Sequence, residues 1–246
     1  MKKVCSFLAA LAIVAVGNAQ TSGQVVSYNA NSADGGVSDA LYKYAMGSIE
    51  DSEAKATYLD ENIEGSPYMA NEFKLTQIYY GDEKAGDMFY RYNAHNDEIE
   101  LKQQNVEEEP IRALGRDKKI NLVVDGKRMA FKTFIDRNGK TQNGYLTLLS
   151  DGKYKLYKRL KITFKEAKKA PNTFVKASPA RFTKFTEYYI EVDGGNRIDE
   201  VQLSNKKLLN LVEGDKQSEL KSFLKENRIK VSDEGDIHKV VQFLNS

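Results

Sequence analysis

Between Asn71 and about Phe164 apolar and polar residues alternate, and the alternation is interrupted at Gly81-Asp82, Asn96-Asp97, Asp125-Gly126, Asn138-Gly139 and Asp151-Gly152. A period of two sends successive side chains to opposite faces of a strand, while Asn-Gly and Asp-Gly pairs accept the positive φ of tight hairpin turns. The last three pairs recur every 13 residues, which predicts consecutive hairpins of an antiparallel β-meander, forming a curved sheet or partial barrel.

Face consistency sets an expected register. A two-residue loop at Asp125-Gly126 puts Val124 opposite Lys127, Leu122 opposite Met129 and Ile120 opposite Phe131. A two-residue loop at Asn138-Gly139 then pairs Phe131 with Leu146 and Met129 with Leu148. At Asp151-Gly152 a two-residue loop would turn charge inward. A three-residue loop, Ser150-Asp151-Gly152, instead pairs Leu148 with Tyr154 and Leu146 with Leu156, and keeps one face apolar. That face reads Ile120, Leu122, Val124, Met129, Phe131 and Ile135, then Leu146, Leu148, Tyr154, Leu156, Leu160, Ile162 and Phe164. Lys158, facing Gly144, is its misfit. At about 1.5–3 kcal/mol per fully buried large side chain, such a face is ample to drive folding.

Beyond it, the prolines and polar residues of 168–186 read as a linker, followed by a short strand from Tyr188 to Val192. The period then lengthens to 3.6. Ser204, Asp215 and Asp233 precede three amphipathic stretches that carry Leu208, Leu211 and Val212, then Leu220, Phe223 and Leu224, then Ile237, Val240, Val241 and Leu244. The expected fold class is therefore α+β: a mainly antiparallel β domain over 38–167, opening with a short helix from Ser38 to Met46, and a C-terminal module over 187–246.

The first residues follow a different logic. Lys2 and Lys3 precede an apolar run from Val4 to Val16 and the small-residue stretch Gly17-Asn18-Ala19, the order of a cleavable export signal over 1–19. As a helix the run spans roughly 20 Å, short of the roughly 30 Å core of a bilayer, so no transmembrane segment is expected after cleavage. Residues 20–37, rich in Ser, Asn, Gly and Asp, read as a flexible arm. Cys5 is the only cysteine, so the mature chain would carry no thiol and no disulfide. Both lysines of the signal leave with it, which reduces 37 basic residues to 35 against 35 acidic ones. A neutral mature chain gives no global reason for a polyanionic partner.

Gly65-Ser66-Pro67-Tyr68, Asn71-Glu72-Phe73, Arg91-Tyr92-Asn93 and Asp97-Glu98-Ile99-Glu100, together with the ending from Val240 to Ser246, resemble uncharacterised exported proteins of Bacteroidota. The resemblance implies the envelope of a Gram-negative cell as the setting. It implies no activity, cofactor or catalytic residue.

His95 and His238 fall in different modules, and neither has a second His or Cys at ligand spacing, so no zinc site is expected. No G-x-S-x-G elbow or Gly-rich phosphate loop occurs, and Ser66 reads as a turn residue. Asn93, Asn96 and Asp97 lack the spacing of a calcium loop. Asp97, Glu98 and Glu100, and the run Glu107 to Glu109, leave open a hydrolase that works with two carboxylates. No cofactor is expected.

The feature that stands out is the opposite face of the meander. It brings together Lys119, Arg128 and Lys132 with Tyr145, then Lys153, Lys155, Tyr157, Arg159, Lys161 and Lys165, and also Phe134; eight residues of the face are basic and none is acidic. Such a face either keeps the sheet solvated or, through cations interleaved with aromatic rings, binds an anionic partner. The expected compartment is the periplasm, the outer membrane or the medium. The expected protein is a non-enzymatic envelope component that binds an envelope protein, an anionic glycan or a lipid head group. Nucleic acid suits the residues but not the compartment. The alternatives are the carboxylate hydrolase, acting on glycan or peptide, and a carrier for an apolar ligand.

Overall fold

The computed structural model describes residues 63–168, 170, 176–192 and 195–246. The expected signal, arm and short helix lie outside the described residues. Ten strands form one mixed, mainly antiparallel sheet. They are β1 Lys74–Tyr80, β2 Glu83–Asn93, β3 Glu98–Lys102, β4 Arg112–Ala113, β5 Ile120–Val124, β6 Lys127–Ile135, β7 Thr141–Ser150, β8 Tyr154–Lys165, β9 Arg181–Val192 and β10 Ile198–Val201. Near the C-terminus follow α1 Asn205–Leu209, α2 Gly214–Glu226 and α3 Glu234–Asn245.

The spatial order is β10-β9-β8-β7-β6-β5-β1-β2-β3-β4. Two meanders, β1 to β4 and β5 to β10, are thus joined side by side by the pairing of β1 with β5, in register at Ile78 and Leu122. The sheet curls without closing into a barrel, and β10 returns to β6 at one parallel pair, Asp199 and Ile135.

The β5–β6 hairpin has the expected register, Leu122 opposite Met129 and Val124 opposite Lys127. Asp125 and Gly126 take φ of 49° and 76°, the left-handed pair that a two-residue loop between right-twisted strands requires.

The next hairpin departs from expectation by one residue. Phe131 faces Tyr145 and Met129 faces Thr147, not Leu146 and Leu148. The cause is local: the loop is Arg137-Asn138-Gly139, closed by the Gly139 N–H to the Asp136 carbonyl and the Asp136 N–H to the Lys140 carbonyl, both at 2.9 Å. Asp136 also accepts the N–H groups of Asn138 and Lys140 on its carboxylate, each at 2.9 Å, and Gly139 takes a φ of 76°. One extra loop residue exchanges the faces of the whole of β7. Tyr145 enters the core beside Met129, while Leu146 leaves it.

The β7–β8 register also differs. Leu148 faces Tyr157 and Ser150 faces Leu156, with Leu149 as a bulge, in place of Leu148 with Tyr154 and Leu146 with Leu156. Here the cause is remote. The Asn245 side chain, at the end of α3, accepts the Tyr154 N–H at 2.8 Å and donates to the Tyr154 carbonyl at 2.9 Å. Both backbone groups that the expected hairpin would have given to β7 are thereby occupied.

In place of one apolar face there are three clusters. The main core gathers Ile78, Met88, Tyr90, Tyr92, Ile99 and Leu101 against Ile120, Leu122, Met129, Tyr145 and Ile162. A second joins Tyr154, Leu156, Tyr188 and Ile190 to the helices through Leu208, Leu220, Leu224, Ile237, Val240 and Leu244, so the helices share their core with the sheet. The third, on the other face, holds Phe134, Leu146, Tyr157, Tyr189 and Ile198.

Lys158 no longer faces Gly144; it pairs with Thr147 and Tyr188 on its neighbouring strands. Its Nζ lies 2.7 Å from Glu234 at the start of α3, a carboxylate that also accepts from the Tyr188 hydroxyl at 3.2 Å. The misfit is the tie between sheet and helix.

Ser204 is the N-cap of α1 without a side-chain cap bond, and Glu213 rather than Asp215 is the N-cap of α2. Asp233 caps α3 as expected, accepting from the Asp236 N–H. Within the expected linker, Arg181 to Thr186 form the first half of β9, and Lys168 and Ser178 exchange backbone bonds of 2.8 and 2.9 Å. Among the described residues no helix is long and apolar enough to cross a membrane.

Two measurements probe this packing. Leu156→Ala, at a site with 0% exposure between sheet and helices, should cost about 2–5 kcal/mol in urea unfolding. Burial by itself would raise the Glu234 carboxyl, but the Lys158 hydrogen bond and charge outweigh it and hold it below the ordinary range of a glutamate. A carboxyl depressed in the fold contributes stability above its ordinary pKa and loses it as pH falls through the folded value. The urea midpoint should therefore drop further on acidification in the native protein than in Glu234→Gln.

Candidate functional site

The β7–β8 ladder runs only from Thr147 to Ser150. Beyond it the two strands part, and the turn from Ala94 to Asp97, between β2 and β3, enters the gap. The Ile162 N–H donates to the Ala94 carbonyl at 3.1 Å, and His95 Nδ1 lies 3.2 Å from the Ile162 carbonyl. The turn is held by Asn93, whose side-chain oxygen accepts the N–H groups of His95 and Asn96 at 3.2 and 3.1 Å, and by Asp97 in the left-handed region at φ 54°. His95 packs edge-on against Phe182, with ring centres 5.4 Å apart. His238 is half-buried on α3, and among the described residues no cluster of His, Cys, Asp and Glu is placed to hold a metal ion.

Asp97 anchors the split. One carboxylate oxygen accepts the Tyr92 hydroxyl at 2.7 Å and the Tyr145 N–H at 3.0 Å; the other accepts Arg159 Nη2 at 2.8 Å. Arg159 Nη1 donates to Glu187 at 3.3 Å, and Glu187 also accepts the Tyr189 hydroxyl at 2.8 Å and lies 3.6 Å from Lys161 Nζ. Burial alone would lower the Arg159 pKa, but the Asp97 hydrogen bond and charge, reinforced by Tyr92 and Glu187, raise it, so the cation is held firmly. Gly144 lies under this pair: a Cβ there would overlap the Asp97 carboxylate.

The second carboxylate is equally committed. Glu100, with 0% exposure, accepts Arg91 through Nε at 3.0 Å and Nη2 at 2.6 Å, while the Arg91 guanidinium lies 3.9 Å from the Tyr68 ring and 4.5 Å from that of Phe73. Arg91 further donates to the Asn71 carbonyl at 3.2 Å, and Ser66 donates to the Asn71 side chain at 2.6 Å. Ser66, Tyr68, Asn71, Phe73 and Arg91 thus converge on one structural knot at Glu100, and Tyr92 and Arg159 on another at Asp97. Glu98 is half-buried beside them, and Glu107 and Glu108 are exposed.

The expected basic face divides. Tyr145 is not on it, for the reason given by the β6–β7 loop. Tyr157 and Phe134 are on it but buried in the third cluster. Lys119 and Arg128 lie apart, against Tyr80 and Tyr79, with Arg128 3.1 Å from Asp82. Lys153 is exposed in the β7–β8 loop, and Lys132 is half-buried opposite Gly144.

On β8 the stripe itself persists, and β9 supplies what the sequence reading lacked. Lys155 faces Glu191 at 3.8 Å, and Arg159 faces Glu187. The Tyr157 hydroxyl donates to Glu191 at 2.7 Å, and burial first, then Glu191, pushes that phenol upward. At the outer end the pattern changes: Lys165 stands directly opposite Arg181, both exposed, and among the described residues no carboxylate pairs with either. Thr163 faces Thr183, and Lys161 faces Phe185, which is 48% exposed. Arg181 and Phe185 were missed because 168–186 read as a linker, and Glu187 and Glu191 because the short strand after it was not paired with β8; the run Phe182-Thr183-Lys184-Phe185-Thr186, rich in aromatic and β-branched residues, was the available signal.

Comparison of the chain with protein-family models, with curated proteins and with solved structures gives no match.

Arg159→Leu leaves Asp97 inside the sheet without its cation and Glu187 with Lys161 alone, and should cost about 3–5 kcal/mol in urea unfolding. Gly144→Ala should destabilise through the same carboxylate, and the double variant should lose less than the sum of the two singles.

Proposed function

We propose that this chain is an exported, non-enzymatic protein of the cell envelope that binds an anionic envelope component through the outer end of the β8–β9 ribbon. The observation that carries the reading is the unmatched pair Lys165 and Arg181. Like charges directly opposite each other weaken a ribbon, yet here they stand together while the inner cations of the same stripe each meet a carboxylate. The surrounding sequence has the same sign: Lys161 to Lys184 contains seven basic residues and one acidic residue, Glu166. The export signal over 1–19 and the resemblance to exported Bacteroidota proteins support the compartment, in which nucleic acid is not the polyanion at hand.

The competing readings have less behind them. A carboxylate hydrolase requires two acids free to act on one bond, whereas Asp97 and Glu100 are each engaged by their own arginine. An apolar carrier requires a cavity in the core, whereas the open depression of about 580 Å³ lies on α2 and α3, between residues such as Phe223, Lys239 and Phe243.

Reversal of charge tests the proposal. The native protein should be retained on envelope fractions at low salt and released as salt rises, because exposed charges are screened. Lys165→Glu combined with Arg181→Glu should reduce low-salt retention several-fold, while Lys119→Glu, at an exposed site outside the ribbon, should not. Unchanged retention of the double variant overturns it.

A further inference from the structure

The end of the β8–β9 ribbon is built in three rows, and each row has a different chemistry. Lys165 and Arg181 form the outermost, Thr163 and Thr183 the next, Lys161 and Phe185 the third. Residues facing each other across an antiparallel pair have Cβ atoms about 5 Å apart, and rows on one face recur at about 7 Å. The outermost row and Phe185 are therefore separated by about 13 Å along the ribbon.

Two exposed cations at that spacing repel each other until an anion lies between them. A carboxylate carries one negative charge, too few to balance both. A phosphate monoester carries nearly two at neutral pH and offers three acceptor oxygens. Arginine presents a planar fork that meets two phosphate oxygens at once, and lysine completes the clamp as a point charge. Glu64, the acidic residue whose backbone bridges Arg181, forms no ion pair with it.

The middle row offers two hydroxyls, each both donor and acceptor, which suits the hydroxyl groups of a sugar. The third row offers an exposed ring. Lys161 leans towards Glu187 at 3.6 Å with its side chain still 45% exposed, and beside it the Phe185 ring is an open surface, apolar and flat like the C–H face of a pyranose. A phosphate followed by two sugar rings spans the distance from the cation pair to Phe185.

We infer that the outer end of the β8–β9 ribbon recognises a phosphorylated saccharide of about two sugar units, with the phosphate between Lys165 and Arg181 and a sugar ring on Phe185. The inference rests on the anionic-partner reading above and names the partner's chemistry. The same group can be free or borne on a lipid, as the polar head of an acylated disaccharide.

Calorimetric titration of the purified full chain tests it, with a glucosamine disaccharide bearing one phosphate monoester, the same disaccharide without phosphate, inorganic phosphate and a glutamate-rich peptide. The phosphorylated disaccharide should bind at least about tenfold more tightly than each of the others, the gain expected when one further positioned group adds about 1.4 kcal/mol. Phe185→Ala should reduce its affinity towards that of inorganic phosphate, and Lys165→Gln with Arg181→Gln should abolish binding. The Gln pair should also unfold at a slightly higher urea concentration than the native protein, because the repulsion is gone, which separates lost binding from lost folding. Flotation with vesicles carrying the acylated phosphodisaccharide distinguishes the sources: capture by vesicles with weak binding of the free sugar assigns the lipid-borne form, and equal affinity assigns the head group in either form. Equal binding of inorganic phosphate or the acidic peptide, or no binding at all, overturns the inference. If no probe binds but envelope retention still depends on Lys165 and Arg181, only the saccharide assignment falls. If retention is also indifferent to them, both readings fall together.

Discussion

A sheet that splits must find other partners for the backbone groups along the split, since a buried N–H or carbonyl without a hydrogen bond costs more than a typical bond contributes. In this chain the turn between β2 and β3 supplies them where β7 and β8 part. The Ala94 carbonyl takes the Ile162 N–H, and the Asp97 carboxylate takes the Tyr145 N–H. That puts a negative charge inside the sheet, and Arg159 and Glu187 follow from it: the carboxylate requires a cation, and the cation is shared with a second carboxylate on β9. Gly144 is the space in which this happens. The meander β1 to β4 is thereby tied to the middle of the meander β5 to β10, at a point far from their joint between β1 and β5.

The same ladder separates what is structural on the basic stripe from what is available. Inner cations of β8 are consumed by Glu187, Glu191 and Asp97, and the buried tyrosines between them donate to the same carboxylates. The stripe is therefore not uniform along its length. What remains is the short outer end, where among the described residues Lys165 and Arg181 face each other without an acid, and it is there that the proposed anion would take the place that Glu187 and Glu191 fill further in. In the proposed reading, cost and function are linked in one arrangement: a repulsion that weakens the free ribbon would be relieved by a bound anion.

How much of this was legible depended on the range of the interactions. The β5–β6 hairpin was readable because Asp125 and Gly126 set its loop by their own backbone preferences. The β6–β7 register was misjudged by one residue, although Asp136-Arg137-Asn138-Gly139, with Asp first and Gly fourth, carries the signature of a type I turn that lengthens the loop. That error moved Tyr145 from the expected binding face into the core and placed Leu146 on the wrong side. The β7–β8 register was out of reach, because Asn245, which takes the Tyr154 backbone, is 91 residues away in sequence. Lys158 could not be explained for the same reason, since its partner Glu234 belongs to α3.

The sequence by itself determined the fold class, the turn positions of the first meander, the helices and their apolar faces, and the presence of cations at alternate positions of β8, because each of these depends on neighbours within a few residues. Only the tertiary structure decided which face of β7 is buried, that β9 lies along the whole of β8, and which of the cations are neutralised. A charge is spent or free according to what stands opposite it, and on β8 what stands opposite comes from β9 and from the turn that carries Asp97, which the alternation of polar and apolar residues does not encode.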